Sequence, residues 1–319
     1  LPKHKRKKGK LFYFAEYAFA RAMMFLVQVM PMFACRALSA FLGNLLYYGS
    51  SKRRGIAIDN LTHALGDDYN DDEIKGLARR SCASFLLTFM EMIKFRPLLA
   101  RPEALKDTRY STQDIFTLFD KVKKIHEDSG GAIFVTPHMG NWEVLPHVCT
   151  ALGIPLVVVA RPPDNPYLRK LLFEDRTSTG QVVIPKKNAL YILRKALRNG
   201  KSLGLLPDQA TKHGVAVDFF GRKALTTPIP ALLSITYRRP IVVAAACRSG
   251  KGLKFEGYVS EPIMPREYRS EKQEIERLTA EMNHAMERVI KKYPEQYLWI
   301  HRRWKTYADK GEFLGGGEG

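Results

Sequence analysis

A mostly parallel central β-sheet flanked by helices, preceded by an amino-terminal helical segment of membrane-associating character, is the α/β architecture that this sequence predicts. From Gly130 onward, short apolar runs of strand length alternate with helical patterns, the rhythm of a parallel sheet covered on both faces. A chain of 319 residues with 45% hydrophobic content can bury a sizeable core. Residues 11–48, behind a basic run, are dense in Phe, Tyr, Met, Leu and Ala. Three segments result: a basic tail and hydrophobic anchor over 1–50, an α/β domain over 51–310, and a tail over 311–319 whose Gly-rich composition predicts disorder.

The basic run holds Lys3, Lys5, Arg6, Lys7, Lys8 and Lys10. In the apolar segment behind it the longest stretch without a charge, 22–35, includes Gln28 and Pro31 and is short for a regular bilayer span. Aromatic and charged residues continue to Tyr48 with no clear small-residue cleavage site, which argues for a retained anchor over a removed signal. Such a segment can cross a bilayer once or lie in its interface as an amphipathic hairpin; buried helices of a soluble domain are the alternative. Asn70 is a fair N-cap for a helix running to about Phe95, with Ile74, Leu77, Cys82, Phe85 and Phe89 on one face. Pro97 and Pro102 interrupt, and a further helix is expected over 111–126. Strands are expected at 132–136, 155–160, 181–184, 202–206 and 241–246, with an edge strand at 253–259. Between them fall helices at 141–151, 165–177, 188–198 and 228–237, the third stopped by Gly200. Ser270 and Gln273 read as a capping box, opening a closing helix lined by Ile275, Leu278, Met282, Met286 and Val289.

The formal charge of +19 extends well beyond the first ten residues. It points to an anionic partner, whether a lipid headgroup surface, nucleic acid or an acidic carrier protein, with a merely solvated surface as the plain alternative. Nucleic acid is disfavoured, because the charges come with an apolar anchor and no recognisable binding motif. Cys35, Cys82, Cys149 and Cys247 lie far apart, with no C-x-x-C pair and no histidine at ligand spacing. Neither a metal site nor a disulfide framework is expected, which fits a reducing compartment.

The chemistry is expected in Ala132-Ile-Phe-Val-Thr-Pro-His-Met-Gly-Asn-Trp-Glu143. Ile133, Phe134 and Val135 read as a strand that stops at Pro137, and a helical pattern begins near Asn141. His138 then sits beyond a strand end at the mouth of a helix, where Glu143 of the first turn can reach it. An imidazole suits general-base work, and a carboxylate can fix its tautomer. Gly140 permits close backbone approach, and helix-start amides can hold an oxyanion. With no Ser or Cys in a G-x-S-x-G elbow, the nucleophile falls to the substrate's own hydroxyl. A structural histidine is the competing explanation of the spacing alone.

The block His138-Met-Gly-Asn-Trp-Glu143 has the form H-x-x-x-x-[DE] with a G-N-W core. Further blocks are Arg161-Pro-Pro-Asp-Asn-Pro-Tyr-Leu168 followed by Arg176, Leu205-Leu-Pro-Asp-Gln209 followed by Gly214 to Gly221, and Tyr297-Leu-Trp-Ile-His-Arg-Arg-Trp-Lys-Thr306. Together they resemble the late-acting lipid A acyltransferases of Gram-negative bacteria, within the lysophospholipid acyltransferase superfamily. The resemblance implies fatty acyl transfer from acyl carrier protein to a hydroxyl of a lipid A precursor at the cytoplasmic face of the inner membrane, with no cofactor beyond the acyl donor. It implies that His138 deprotonates the acceptor and Glu143 orients and charge-stabilises His138. Arg161 and Arg176 are implied for anionic groups of the substrates, although surface solvation would also explain them. Asn141, Asp208 and Gln209 complete the implied substrate-binding set, the last two with a turn-stabilising role as their alternative. Asp218 and Arg222-Lys223 depart from the family's usual V-P-F-F-G-x-P-A run. Another glycolipid or a lysophospholipid with an acyl-CoA donor, or non-catalytic binding of anionic lipid, are the other functions compatible with the sequence.

Overall fold

The computed structural model describes residues 9–99, 113–160, 162–171, 182–184, 189–250 and 254–305. Helices α1 (Lys10–Val29) and α2 (Met32–Gly49) are separated at Met30 and Pro31. A proline disfavours helical geometry in the residue before it, and Met30 is extended at φ −63° and ψ 135°. Among the described residues no helix is long and apolar enough to cross a membrane. Both helices pack on α4 (Asp71–Leu99). Gly43 brings α2 so close that a side-chain carbon there would lie 2.6 Å from Ala83 Cα. The Lys94 ammonium donates to the Gln28 carbonyl at 2.7 Å. Outward, the pair leaves Leu11, Phe19, Phe25, Phe33, Phe41 and Leu45 exposed.

After α3 (Ser51–Leu65), α4 opens with a complete capping box. Asn70 Oδ1 accepts from the amides of Asp72 and Glu73 at 3.0 and 3.1 Å, and Glu73 accepts from the Asn70 amide at 2.9 Å. The helix runs past Pro97 to Leu99, further than expected. Ile74, Leu77 and Cys82 are buried as their periodicity requires, but Phe89 is 42% exposed. The buried stripe continues instead through polar Thr88 and Glu91, and these reach the candidate site.

Behind α5 (Gln113–Ser129) the alternating pattern becomes a six-stranded sheet of order β3-β2-β4-β1-β7-β8. Its members are β1 (Ile133–Val135), β2 (Leu156–Val159), β3 (Val182–Ile184), β4 (Ser202–Leu205), β7 (Ile241–Arg248) and β8 (Phe255–Val259). All pairings are parallel except that of the edge strand β8. Successive side chains of a strand face opposite sides. Ile133 and Val135 therefore enter the core with α7 (Ala189–Arg198) and α9 (Glu271–Lys292), while Phe134 packs beside Val122 of α5 and Cys149 of α6 (Val144–Ala151). Helix α8 (Ile229–Tyr237) precedes β7.

One element was not anticipated. Strands β5 (Val215–Phe219) and β6 (Arg222–Thr226) form a separate hairpin. Its turn residues Phe220 and Gly221 both have positive φ, 52° and 73°, the geometry that suits the twist of a tight hairpin. The alternating Val215, Val217 and Phe219 were a legible strand signal. Asp218 stands opposite Lys223 and pairs with it at 3.1 Å, so two of the residues that depart from the family's run compensate each other.

Candidate active site

Register builds this site. In the parallel pair β1 and β4, Val135 stands opposite Leu205. Each strand then runs on for three residues, one to His138 and the other to Asp208, so both arrive together at the carboxyl end of the sheet. From β1 the chain leaves toward β2 on one side, and after β4 it travels to β7 on the other. Such divergence opens a crevice at the strand ends where α/β proteins bind ligands.

His138 Nδ1 lies 2.6 Å from Asp208 Oδ1, and the His138 backbone amide donates to Oδ2 at 2.8 Å. Asp208 is almost fully buried, and burial together with the Asp208 charge pushes the pKa of the neighbouring Tyr297 phenol up. Burial pushes the Asp208 pKa up, but the charge of His138, the two bonds from that residue and the charge of Arg303 outweigh this and hold the carboxyl below its ordinary value. Against an ionised Asp208, Nδ1 carries the proton and Nε2 presents the lone pair. On His138 burial acts in the opposite sense and lowers the proton affinity. The charge and hydrogen bond of Asp208, then the charge of Glu143, overcome that and raise its pKa above 6.5. Trp142 packs edge-on to the imidazole at 5.4 Å.

A second layer holds this pair. Arg303 is 2% exposed, donates to the Leu225 carbonyl at 3.0 Å and Thr226 Oγ1 at 2.5 Å, and lies over the Phe219 ring. Its guanidinium is thereby committed within the protein. His301 Nε2 accepts from the Ala210 amide at 3.4 Å, steadying the turn after Asp208. Burial, together with the positive charge of His138, Arg303 and Arg53, outweighs the pull of Asp208 and lowers the His301 pKa, so His301 is neutral at physiological pH.

The turn carrying His138 is fixed from below. Gly140 has φ +56°, and a side-chain carbon there would lie 2.0 Å from the Ala246 carbonyl oxygen. Gly140 and Asn141 donate their amides to the carbonyls of Gln296 and Ala246 at 3.1 and 2.8 Å. Asn141 is fully buried and gives its side-chain NH₂ to Glu91 at 3.1 Å. Glu91 also takes Arg248 Nε on both oxygens, at 2.8 and 2.9 Å. Arg248 reaches Ser84 and Thr88 besides, and the Thr88 hydroxyl donates to the Gly140 carbonyl at 2.8 Å. Replacing Glu91 by Ala would strand the Arg248 charge in the interior. The expected loss is about 3–5 kcal/mol of stability, to be read as a lowered Cm in urea; an unchanged Cm would show that the network is dispensable.

Two expectations are corrected here. The carboxylate that holds the His138 ring is Asp208, where Glu143 had been expected; Glu143 sits at the N-cap of α6 and acts on His138 through its charge. Asn141 is a buried strut rather than a substrate contact. The amides of His138, Met139, Gly140, Asn141 and Val144 are all bonded within the protein, so none of these five is an oxyanion donor. The tertiary bonds of Asn141 also explain why α6 begins only at Val144. Gln209 is exposed, with Nε2 3.4 Å from His138 Nε2. Arg161 and Arg176 lie outside the described residues. Tyr297, His301, Arg303, Glu91 and Arg248 were not singled out in these supporting roles; for Glu91 the available signal was a carboxylate on an apolar helix face.

All four cysteines are free and buried, and burial pushes Cys82 up to about 11 and Cys149 and Cys247 up to about 12. None of these three thiols is an activated nucleophile. Among the described residues no group of three or more His, Cys, Asp or Glu side chains is placed to hold a metal ion.

A family model described as bacterial lipid A biosynthesis acyltransferase matches residues 1–306. A lipid A biosynthesis acyltransferase of Haemophilus influenzae is 27% identical over 200 residues, 60% of this chain and 62% of that protein. A lipid A biosynthesis lauroyltransferase of Escherichia coli is 30% identical over 155 residues, 48% of this chain and 49% of that protein. A phosphatidylinositol mannoside acyltransferase of Mycobacterium tuberculosis is 27% identical over 135 residues, 40% of this chain and 42% of its own. The chain thus spans about two-fifths to three-fifths of the length of these curated relatives. By its match over nearly every residue, the chain belongs to the bacterial lipid A biosynthesis acyltransferase family.

Proposed function

We propose that this protein moves a fatty acyl chain from the thioester of acyl carrier protein to a hydroxyl of a phosphorylated glycolipid, a lipid A precursor, with His138 as general base. The observation that carries the proposal is the buried Asp208 on Nδ1 of His138, which leaves Nε2 as the basic nitrogen at the carboxyl end of the sheet. The acceptor hydroxyl gives its proton to Nε2 as its oxygen attacks the thioester carbonyl. Asp208 and Glu143 together stabilise the imidazolium. Collapse of the tetrahedral intermediate breaks the C–S bond, and the departing thiolate takes the proton from Nε2. No covalent acyl-enzyme is required. Arg161 and Arg176 remain proposed contacts for phosphate or donor anions, since arginine can grip phosphate with two parallel hydrogen bonds. The relative named for phosphatidylinositol mannoside makes another glycolipid the next acceptor to try.

An amphiphilic acceptor has to be met at a bilayer surface. The outward Phe19, Phe25, Phe33, Phe41 and Leu45 of α1 and α2 form an apolar surface suited to lying in the interface of the inner membrane on its cytoplasmic side, with basic residues drawn to anionic headgroups. Segment 162–171 sits against this hairpin: Asn165 donates to the Tyr13 carbonyl at 2.8 Å and Glu16 at 3.0 Å, and Tyr167 meets Phe14 and Tyr17. Changing Phe19, Phe25 and Phe33 together to Asp is expected to abolish flotation with anionic vesicles while sparing transfer to an acceptor dispersed in detergent. Undiminished flotation would exclude this surface as the anchor.

The decisive assay offers acyl carrier protein and coenzyme A thioesters against a lipid A precursor, phosphatidylinositol mannoside and a lysophospholipid, with His138→Ala in parallel. Acylated lipid A from the carrier-protein donor, absent with the variant, is the expected result. Transfer to the lysophospholipid alone, or full activity of the variant, would refute the assignment.

A further inference from the structure

The acyl-transfer chemistry needs a hydrogen-bond donor for the thioester oxygen as it becomes an oxyanion, and the amides from His138 to Asn141 are each already bonded to a carbonyl or carboxylate of the protein. We propose that the side-chain amide of Gln209 is this donor. Consecutive residues leaving β4 address the two nitrogens of one imidazole, Asp208 on Nδ1 at 2.6 Å and Gln209 beside Nε2 at 3.4 Å. The attacking oxygen must come within hydrogen-bond reach of Nε2, about 2.6–3.2 Å, so the Gln209 NH₂ borders the place where the tetrahedral carbon forms. Its resting contact with Nε2 is long for a hydrogen bond and is given up at little cost when substrate enters. An amide is neutral, so it does not depress the proton affinity of the base as a cation there would. The Ala210 amide, bonded to His301, restrains the chain just beyond it.

In the step itself, the hydroxyl oxygen bonds to the thioester carbon, the hydroxyl proton passes to Nε2, and the carbonyl π pair moves onto oxygen, where an N–H of Gln209 meets it. When the C–S bond breaks, that pair reforms the carbonyl and the proton leaves Nε2 for the thiolate.

The inference rests on the acyl-transfer reading, and the test separates the two. Wild type, His138→Ala, Gln209→Ala and Gln209→Glu are assayed for transfer to the lipid acceptor and for hydrolysis of the thioester by water. Gln209 is exposed, so its variants are expected to fold normally. Loss of an oxyanion donor should lower kcat by about a hundredfold in transfer and hydrolysis alike, with KM for the acceptor little changed. Gln209→Glu should be worse than Gln209→Ala, since a carboxylate repels the oxyanion. In Gln209→Ala the acid limb of the pH profile should stay in place, because Asp208 and Glu143 set the His138 pKa, whereas the added carboxylate of Gln209→Glu should move it to higher pH. Gln209 variants as active as wild type, a rise in acceptor KM alone, a loss of transfer without loss of hydrolysis, or a displaced pH profile of Gln209→Ala would each overturn the inference while His138→Ala still supports the base. A wild-type protein inert toward every thioester would overturn the acyl-transfer reading and this inference with it.

Discussion

Asp208→Asn is expected to lower acyl transfer by about a thousandfold in kcat, with little change in KM. Asparagine nearly matches the shape of the carboxylate, so packing at this buried position survives. What changes is the proton. The ionised carboxylate accepts from Nδ1 and from the His138 backbone amide, whereas an Asn side chain can turn its NH₂ toward Nδ1 and drive the imidazole proton onto Nε2, the nitrogen that must be basic. A wrong tautomer of this kind costs about 10⁴ in rate in a serine-protease triad, an upper guide for this pair. The pH profile adds a signed check. A general base works only when neutral, so transfer rises as pH passes upward through the pKa of His138, which stands above 6.5 because Asp208 and Glu143 outweigh its burial. Removing the charge of Asp208 should move the acid limb to lower pH, and residual activity should reach its plateau earlier than in wild type. Circular dichroism must show a retained fold for the comparison to count. A variant within tenfold of wild type, or an acid limb that does not move, would mean that Asp208 does not orient the base.

Gly140→Ala should be the most destabilising single methyl in the site. The residue has φ +56°, which costs a side chain about 1–2 kcal/mol. More serious is its place 2.0 Å from the Ala246 carbonyl oxygen, a backbone atom toward the carboxyl end of β7 that already accepts from the Asn141 amide. A backbone atom in a central strand cannot swing away as the end of a flexible side chain would, so the His138 turn must lift off the sheet. The expected loss exceeds about 4 kcal/mol and should appear as insoluble protein or a collapsed Cm. Soluble, fully active Gly140→Ala would show that the turn has another packing available to it.

How much of this was legible in the chain differs by element. The parallel sheet could be read because Ile133 to Val135, Leu156 to Val159 and Ile241 to Ala246 are short apolar runs that need cover on both faces, and the cover is visible as amphipathic helices between them. Capping at Asn70 and Ser270 was equally readable, being local chemistry within four residues. The β5–β6 hairpin was missed even though Val215, Val217 and Phe219 alternate, because its turn places a non-glycine residue, Phe220, at positive φ. At the site, His138 and Glu143 could be picked out by residue type and spacing, and their meeting was credible because both lie in one short stretch. Asp208 is seventy residues away. Nothing within either segment says that Val135 and Leu205 are paired, and that pairing alone delivers Asp208 to Nδ1 of His138.

By itself, then, the sequence determined the local things: most of the segments that become strands and helices, that a histidine stands just past a strand end, and through its motif blocks the family. Only the tertiary structure decided that Asp208 holds the ring, that Asn141 is a strut beneath it, and that Arg303 is committed to the interior. The physical reason is one of range. Propensity and capping act over a few residues along the chain, while a pKa, a tautomer and a buried charge are set by whatever the fold brings within a few ångströms.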